Sequence, residues 1–140
     1  MCIASLPHVM ADVLELLNSI RERTGNSGTP GLPDDVILKF SEIDSSLAMA
    51  IEESALNFEI IYSDNGSEIL SMDEDEMVKE VQSDFVNFYA PETVNPYVAL
   101  AAKGPWIVTS HGAVLHDNGG YGMLGMGHGP DDVISAMQQN

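Results

Sequence analysis

The sequence predicts an α+β fold: a mainly helical, acidic region over residues 1–90, followed by a short β-meander and a helix over residues 91–140. Three observations predict it. Apolar residues recur at three- and four-residue spacing through the first part. After "APETVNP" the texture changes to short β-prone runs separated by glycines. Charge follows the same division, with 18 of the 22 acids and four of the five bases preceding residue 91. At 140 residues the chain suits one domain with a modest core, or a small domain with an extension. Its 44% hydrophobic and 19% charged residues give a globular rather than a disordered balance.

The elements follow in order. Leu6, Val9, Met10, Val13, Leu14, Leu17 and Ile20 form one apolar stripe on a helix that Gly25 can end. "GNSGTPGLP" breaks the pattern. From Pro33 a second periodic run passes through Val36, Ile37, Phe40, Ile43, Leu47, Ala50 and Ile51, as one long helix or as two split near "DSS" (44–46), where capping side chains cluster. "SDNG" (63–66) reads as a turn, and Ser71 with Glu74 as a capping box. A third helix then carries Met77, Val81, Phe85 and Phe88 on one face, with the acids of "DEDE" (73–76) in its first turn, where they complement the helix dipole and form a solvated face. "WIVTS" (106–110) and "AVLHD" (113–117) read as two short strands around a tight turn at "HG" (111–112). In "HGPDDVISAMQQN", Pro130 suits the first helical position and Val133, Ile134 and Met137 the buried face of a last helix of about eleven residues. Residues 91–140 taken alone leave the faces of their strands and helix uncovered, which predicts poor solubility or self-association.

A net charge of −17 disfavours phosphate backbones and anionic membrane surfaces, so neither nucleic acid nor membrane is an expected partner. Cys2 is the only cysteine, which precludes an intrachain disulfide and suits a reducing compartment. No apolar run approaches the roughly 18 residues of a membrane span. Residues 1–12 carry no Lys or Arg, unlike a signal peptide. A soluble cytoplasmic protein is the expectation.

"GYGMLG" (120–125) has the spacing G-x-G-x-x-G of a dinucleotide-binding turn, but the context that the chemistry needs is missing. The glycines follow the polar "HDNG" rather than a buried strand. Gly125, Gly127, Gly129 and Pro130 interrupt the helix whose N-terminus would face a pyrophosphate, and the 140 residues end before the acid expected about 20 residues on. Backbone freedom in a compact loop accounts for these glycines. His111, His116, Asp117 and His128 match no established ligand spacing, and histidines on turns are commonly surface residues, so no metal site is expected. "DNGSE" lacks an EF-hand, since the first ligand position would be Ile61. Met123 and Met126 read as core filler.

Taken together, "GPWIVTSHGAVLHDNGGYGMLGMGHGPDDVISAM" (104–137) resembles the start of the class III pyridoxal-phosphate-dependent aminotransferases. The family's pattern is a glycine-led apolar strand, a short turn with glycine, an apolar strand ending in Asp, a small-residue loop, and then "GH" shortly before a proline and an apolar helix. Here that pattern falls on Gly104, Trp106, Gly112, Leu115, Asp117, Gly119 and Gly120, then on Gly127, His128, Pro130, Val133, Ala136 and Met137. The match covers a quarter to a third of the chain and says nothing about residues 1–90.

The resemblance implies the small domain of a fold type I transferase in a homodimer. It also implies pyridoxal 5'-phosphate as cofactor, and transfer of an amino group from an amino acid donor, including the terminal amine of a diamine-type amino acid, to a 2-oxo acid acceptor. In relatives the residue seven before the "GH" histidine faces the substrate; that position is Tyr121. Gly120 and Gly122 would keep the loop close to substrate or cofactor, and His128 would buttress it by hydrogen bonding at the helix entrance. The Schiff-base lysine, the acid opposite the pyridinium nitrogen and the phosphate cup lie downstream of the "GH" motif in the family, so no catalytic residue is expected in these 140 residues, which alone should not transaminate. The alternative is a non-catalytic acidic helical module that docks on a partner protein.

Overall fold

In the computed structural model of the chain, which describes residues 12–84, 96–118 and 125–139, the first apolar stripe becomes helix α1 (Val13–Arg21). Asp12 starts it by accepting from the Leu14 amide at 3.0 Å, which satisfies one of the N–H groups that a helix start leaves open. Val13, Leu17 and Ile20 are its buried face. The helix stops at Arg21, short of Gly25. Leu6, Val9 and Met10 lie outside the described residues.

Helices α2 (Asp34–Ser41) and α3 (Ser45–Ile61) are separate, split where "DSS" suggested. Asp44 caps α3, its Oδ1 accepting from the Ser46 amide at 3.0 Å and the Ser46 hydroxyl at 2.5 Å. "SDNG" does not reverse the chain. Residues Tyr62–Gly66 form a π-helical segment that carries α3 into the short α4 (Ser67–Leu70). A Cβ on Gly66 would lie 2.4 Å from the carbonyl oxygen of Ile61, so the absent side chain lets the coil continue through a composition that locally favours a turn.

Helix α5 (Glu74–Gln82) begins at Asp73, not Ser71. The Ser71 hydroxyl donates to the Glu68 carbonyl at 2.8 Å, so the expected capping box does not form. Asp73 turns to the loop after α1 instead, its Oδ1 accepting from the Asn26 amide at 2.8 Å and the Asn26 side chain at 2.9 Å. Met77 is buried and Val81 packs beside it as expected; Phe85 and Phe88 lie outside the described residues.

Strands β1 (Ala99–Lys103), β2 (Trp106–Thr109) and β3 (Val114–His116) form an antiparallel sheet in the order β1-β2-β3. Ile107 pairs with Leu115 and Ala102 with Ile107. The sequence predicted the last two strands and not β1. All four residues of β2 are buried, because α3 lies across β1 and β2 and α1 packs on α3. One core joins Leu17 of α1, Ile37 of α2, Leu47 and Ile51 of α3, Trp106 and Val108 of β2 and Val114 of β3. A second joins Ile20, Phe58, Leu70, Met77 and Leu100. Both cross residue 90, so the acidic helices cover the sheet.

Helix α6 (Asp131–Gln138) has eight residues, shorter than expected, and Pro130 is its N-cap rather than its first residue. None of its residues is buried: Ile134 is 42% and Met137 80% exposed, where the sequence predicted a buried face. Among the described residues no helix is long and apolar enough to cross a membrane.

Candidate functional site

The residues of the 104–137 motif that the structure describes meet where the β1–β2 turn faces the start of α6. Gly104 and His128 form an isolated antiparallel bridge: the Gly104 amide donates to the His128 carbonyl at 3.0 Å, and the His128 amide donates to the Gly104 carbonyl at 2.7 Å. The approach needs glycine at position 127. Its φ is +73°, and a Cβ there would lie 2.8 Å from the Gly104 Cα.

The His128 ring is held as well, its Nε2 lying 3.0 Å from Asp117 Oδ2 with both side chains about three-quarters buried. A carboxylate at this distance fixes the orientation of an imidazole and favours a proton on the facing nitrogen. Asp117 is anchored in turn by its amide, which donates to the Pro105 carbonyl at 2.7 Å. Lys103 Nζ donates to the Gly129 carbonyl at 2.8 Å and to Asp131 Oδ1 at 2.5 Å. Residues 103–105, 117 and 127–131 are thus tied at one point, before and after Tyr121 in the sequence. His128 hydrogen bonds beside the start of α6, while the segment 119–124 that it was expected to buttress lies outside the described residues. Tyr121, Gly120 and Gly122 lie outside the described residues, as does Met123. Met126 is 66% exposed and is not core filler; apart from its chain neighbours, no described residue lies within 4 Å of where a side chain on Gly125 would begin.

Pyridoxal phosphate needs a lysine amine for the Schiff base, an acid for the ring nitrogen and a cup for the phosphate. Lys103 is occupied by a carbonyl and a carboxylate, while Lys39 and Lys79 stand exposed on α2 and α5. The described residues therefore do not by themselves fit the cofactor.

Among the described residues the histidines do not group around one site. His111 is not a surface residue: it is 2% exposed, with Nε2 donating to the Met72 carbonyl at 2.8 Å and Nδ1 accepting from the Ser110 hydroxyl at 3.0 Å. The carbonyl can only accept, which places the ring proton on Nε2. A serine paired with an oriented histidine is the arrangement of an activated nucleophile, but Ser110 is fully buried, so the pair pins the β2–β3 turn to the α4–α5 link. His116 stands edge-on to Trp106 with ring centroids 4.9 Å apart. Among the described residues no three His, Cys, Asp or Glu side chains are grouped to hold a metal ion.

Sequence reasoning missed Glu74. Placed on a solvated face by its "DEDE" surroundings, it is fully buried. Its Oε2 accepts from the Thr29 amide at 2.7 Å and the Ser27 hydroxyl at 3.2 Å, and its Oε1 has no hydrogen-bond partner among the described residues. The only signal for this is the cluster of small donor residues in "NSGT" (26–29), far away in the chain.

Comparison with family models, curated proteins and solved structures finds no match to this chain.

Proposed function

We propose that the chain is the N-terminal part of a class III pyridoxal-phosphate-dependent aminotransferase, its sheet and α6 belonging to the small domain of a fold type I homodimer in the cytoplasm. The full enzyme moves an amino group from an amino acid to a 2-oxo acid, and Tyr121 helps to seat the donor. One observation supports this reading: the motif residues Gly104, Asp117, Gly127 and His128, spread over 25 positions of the sequence, meet in one hydrogen-bonded junction that precedes and follows Tyr121 in the chain. Gly120 and Gly122 flank Tyr121 in the sequence and serve to bring its backbone close to substrate. The cofactor-binding residues lie outside this chain.

The coding sequence downstream of Asn140 tests the proposal. A reading frame that continues into a large domain with a Schiff-base lysine supports it, and a stop at that point overturns it.

A second reading, a non-catalytic module that docks on a partner protein, is favoured by the exposed apolar row Met49, Leu56 and Ile60 along α3. Transaminase activity of the continuous gene product would exclude it.

A further inference from the structure

Between α5, the 28–30 segment and β3 lies a cleft of about 570 Å³, within the ~300–1,000 Å³ of small-molecule sites. Pro30, Val78, Pro96, Tyr97 and Leu115 form its walls, and Asp75 and Lys79 of α5 line it as well. The walls are set by the fold. Val78 is 3% exposed, and buried Glu74 holds the Thr29 amide, fixing the 28–30 side from within. Leu32 secures the other end of that segment, its amide donating to the Val114 carbonyl at 2.9 Å.

The charges select the ligand. Asp75 and Lys79 are four residues apart on one helix, with Cβ atoms about 5–6 Å apart, and neither forms an ion pair among the described residues. A ligand carrying only an anionic group meets Asp75 at the cleft and the net charge of −17 at long range. One carrying only a cationic group meets the ammonium of Lys79. A zwitterion is neutral at long range and complements both groups at contact, and the apolar walls accommodate an uncharged side chain.

We propose that this cleft binds a free α-amino acid with an apolar side chain, its ammonium on Asp75, its carboxylate on Lys79 and its side chain against Val78, Tyr97 and Leu115. The site draws on α5 and the 28–30 segment, which the aminotransferase resemblance does not cover. It does not rest on that reading.

Calorimetric titration of the 140-residue chain with L-phenylalanine tests it, with phenethylamine and 3-phenylpropanoate as analogues that keep one charge each. The expected result is saturable binding of L-phenylalanine at one site and about tenfold weaker binding of each analogue, the loss of one charge-assisted contact. Lys79→Gln should weaken L-phenylalanine about tenfold without weakening phenethylamine, and Asp75→Asn should do the same without weakening 3-phenylpropanoate. Both residues are exposed, so far-ultraviolet circular dichroism should be unchanged in the variants. Absence of saturable binding at millimolar L-phenylalanine, or binding that both variants leave intact, overturns the proposal. Neither result bears on the reading frame beyond Asn140, so the two proposals fail separately.

Discussion

Trp106 Nε1 donates to Asp44 Oδ2 at 2.8 Å, joining the cap of α3 to β2 across 62 residues of sequence. The same carboxylate holds Ser46 through Oδ1, so one side chain starts a helix and fastens it to the sheet. Phe40 and His116 complete the cluster around the indole, with ring centroids 5.5 Å and 4.9 Å from it. Asp44→Ala removes the cap and leaves the indole N–H without its acceptor, which should cost about 1–3 kcal/mol in urea unfolding. Trp106 is the only tryptophan, so its emission should shift in the folded variant. Unchanged stability and emission would mean that the bond contributes nothing.

The same contact sets an acid dependence. The Ser46 hydroxyl, then the Trp106 indole, hold the Asp44 carboxyl below its ordinary value of 3.8, against a smaller opposing effect of burial. A pKa lowered by folding means that the stabilisation is fully present above 3.8 and is lost as pH falls through the lower folded value. The difference in melting temperature between the wild type and Asp44→Ala should therefore be constant from neutral pH down to about 4 and narrow below it. A difference that narrows near neutrality would place the titrating group elsewhere.

Gly127→Ala puts a side chain at φ +73°, where its Cβ meets the Gly104 Cα at 2.8 Å. The Gly104–His128 bridge should open, at a cost of at least about 1 kcal/mol confined to this corner. Hydrogen exchange should quicken at the Gly104 and His128 amides and stay unchanged in α1 and α3. Uniform exchange through the whole chain would show that the junction is part of the global core instead.

Residues 91–140 alone would lose the cover that α3 gives β1 and β2, and with it the partners of Trp106 and Val108 in the core. A peptide of that span should self-associate and melt without a cooperative transition. A monomer with a sharp melt would contradict the shared core.

The parts of this fold that were legible in the sequence are those whose signal is local. Val13, Leu17 and Ile20 repeat at helical spacing, Asp44 is a good capping residue at the break between α2 and α3, and Trp106–Thr109 is a short run of β-favouring residues. Strand β1 escaped because "ALAAK" has no β-branched residue and no alternation, and becomes a strand by pairing with β2 beneath α3. The π-helical continuation through "SDNG" and the burial of Glu74 escaped for a related reason. Local composition argues for a turn and for a solvated face, whereas the missing Cβ of Gly66 lets the coil continue past Ile61 and the distant Thr29 amide claims Glu74. At the candidate site the family resemblance implied a hydrogen-bonding place for His128 at the helix entrance. Its partnership with Asp117 and the bridge to Gly104 required the folded chain.

Whether residues 104–137 open a class III aminotransferase is decided by the cofactor absorbance and amino-donor profile of the protein made from the uninterrupted gene, measured beside the 140-residue chain. The reading proposed here predicts bound pyridoxal phosphate in the longer protein, none in the 140-residue chain, and a Tyr121→Phe variant of the longer protein whose preference among donors changes more than its cofactor affinity. Cofactor absorbance in the 140-residue chain alone, or a gene that stops after Asn140, would contradict it.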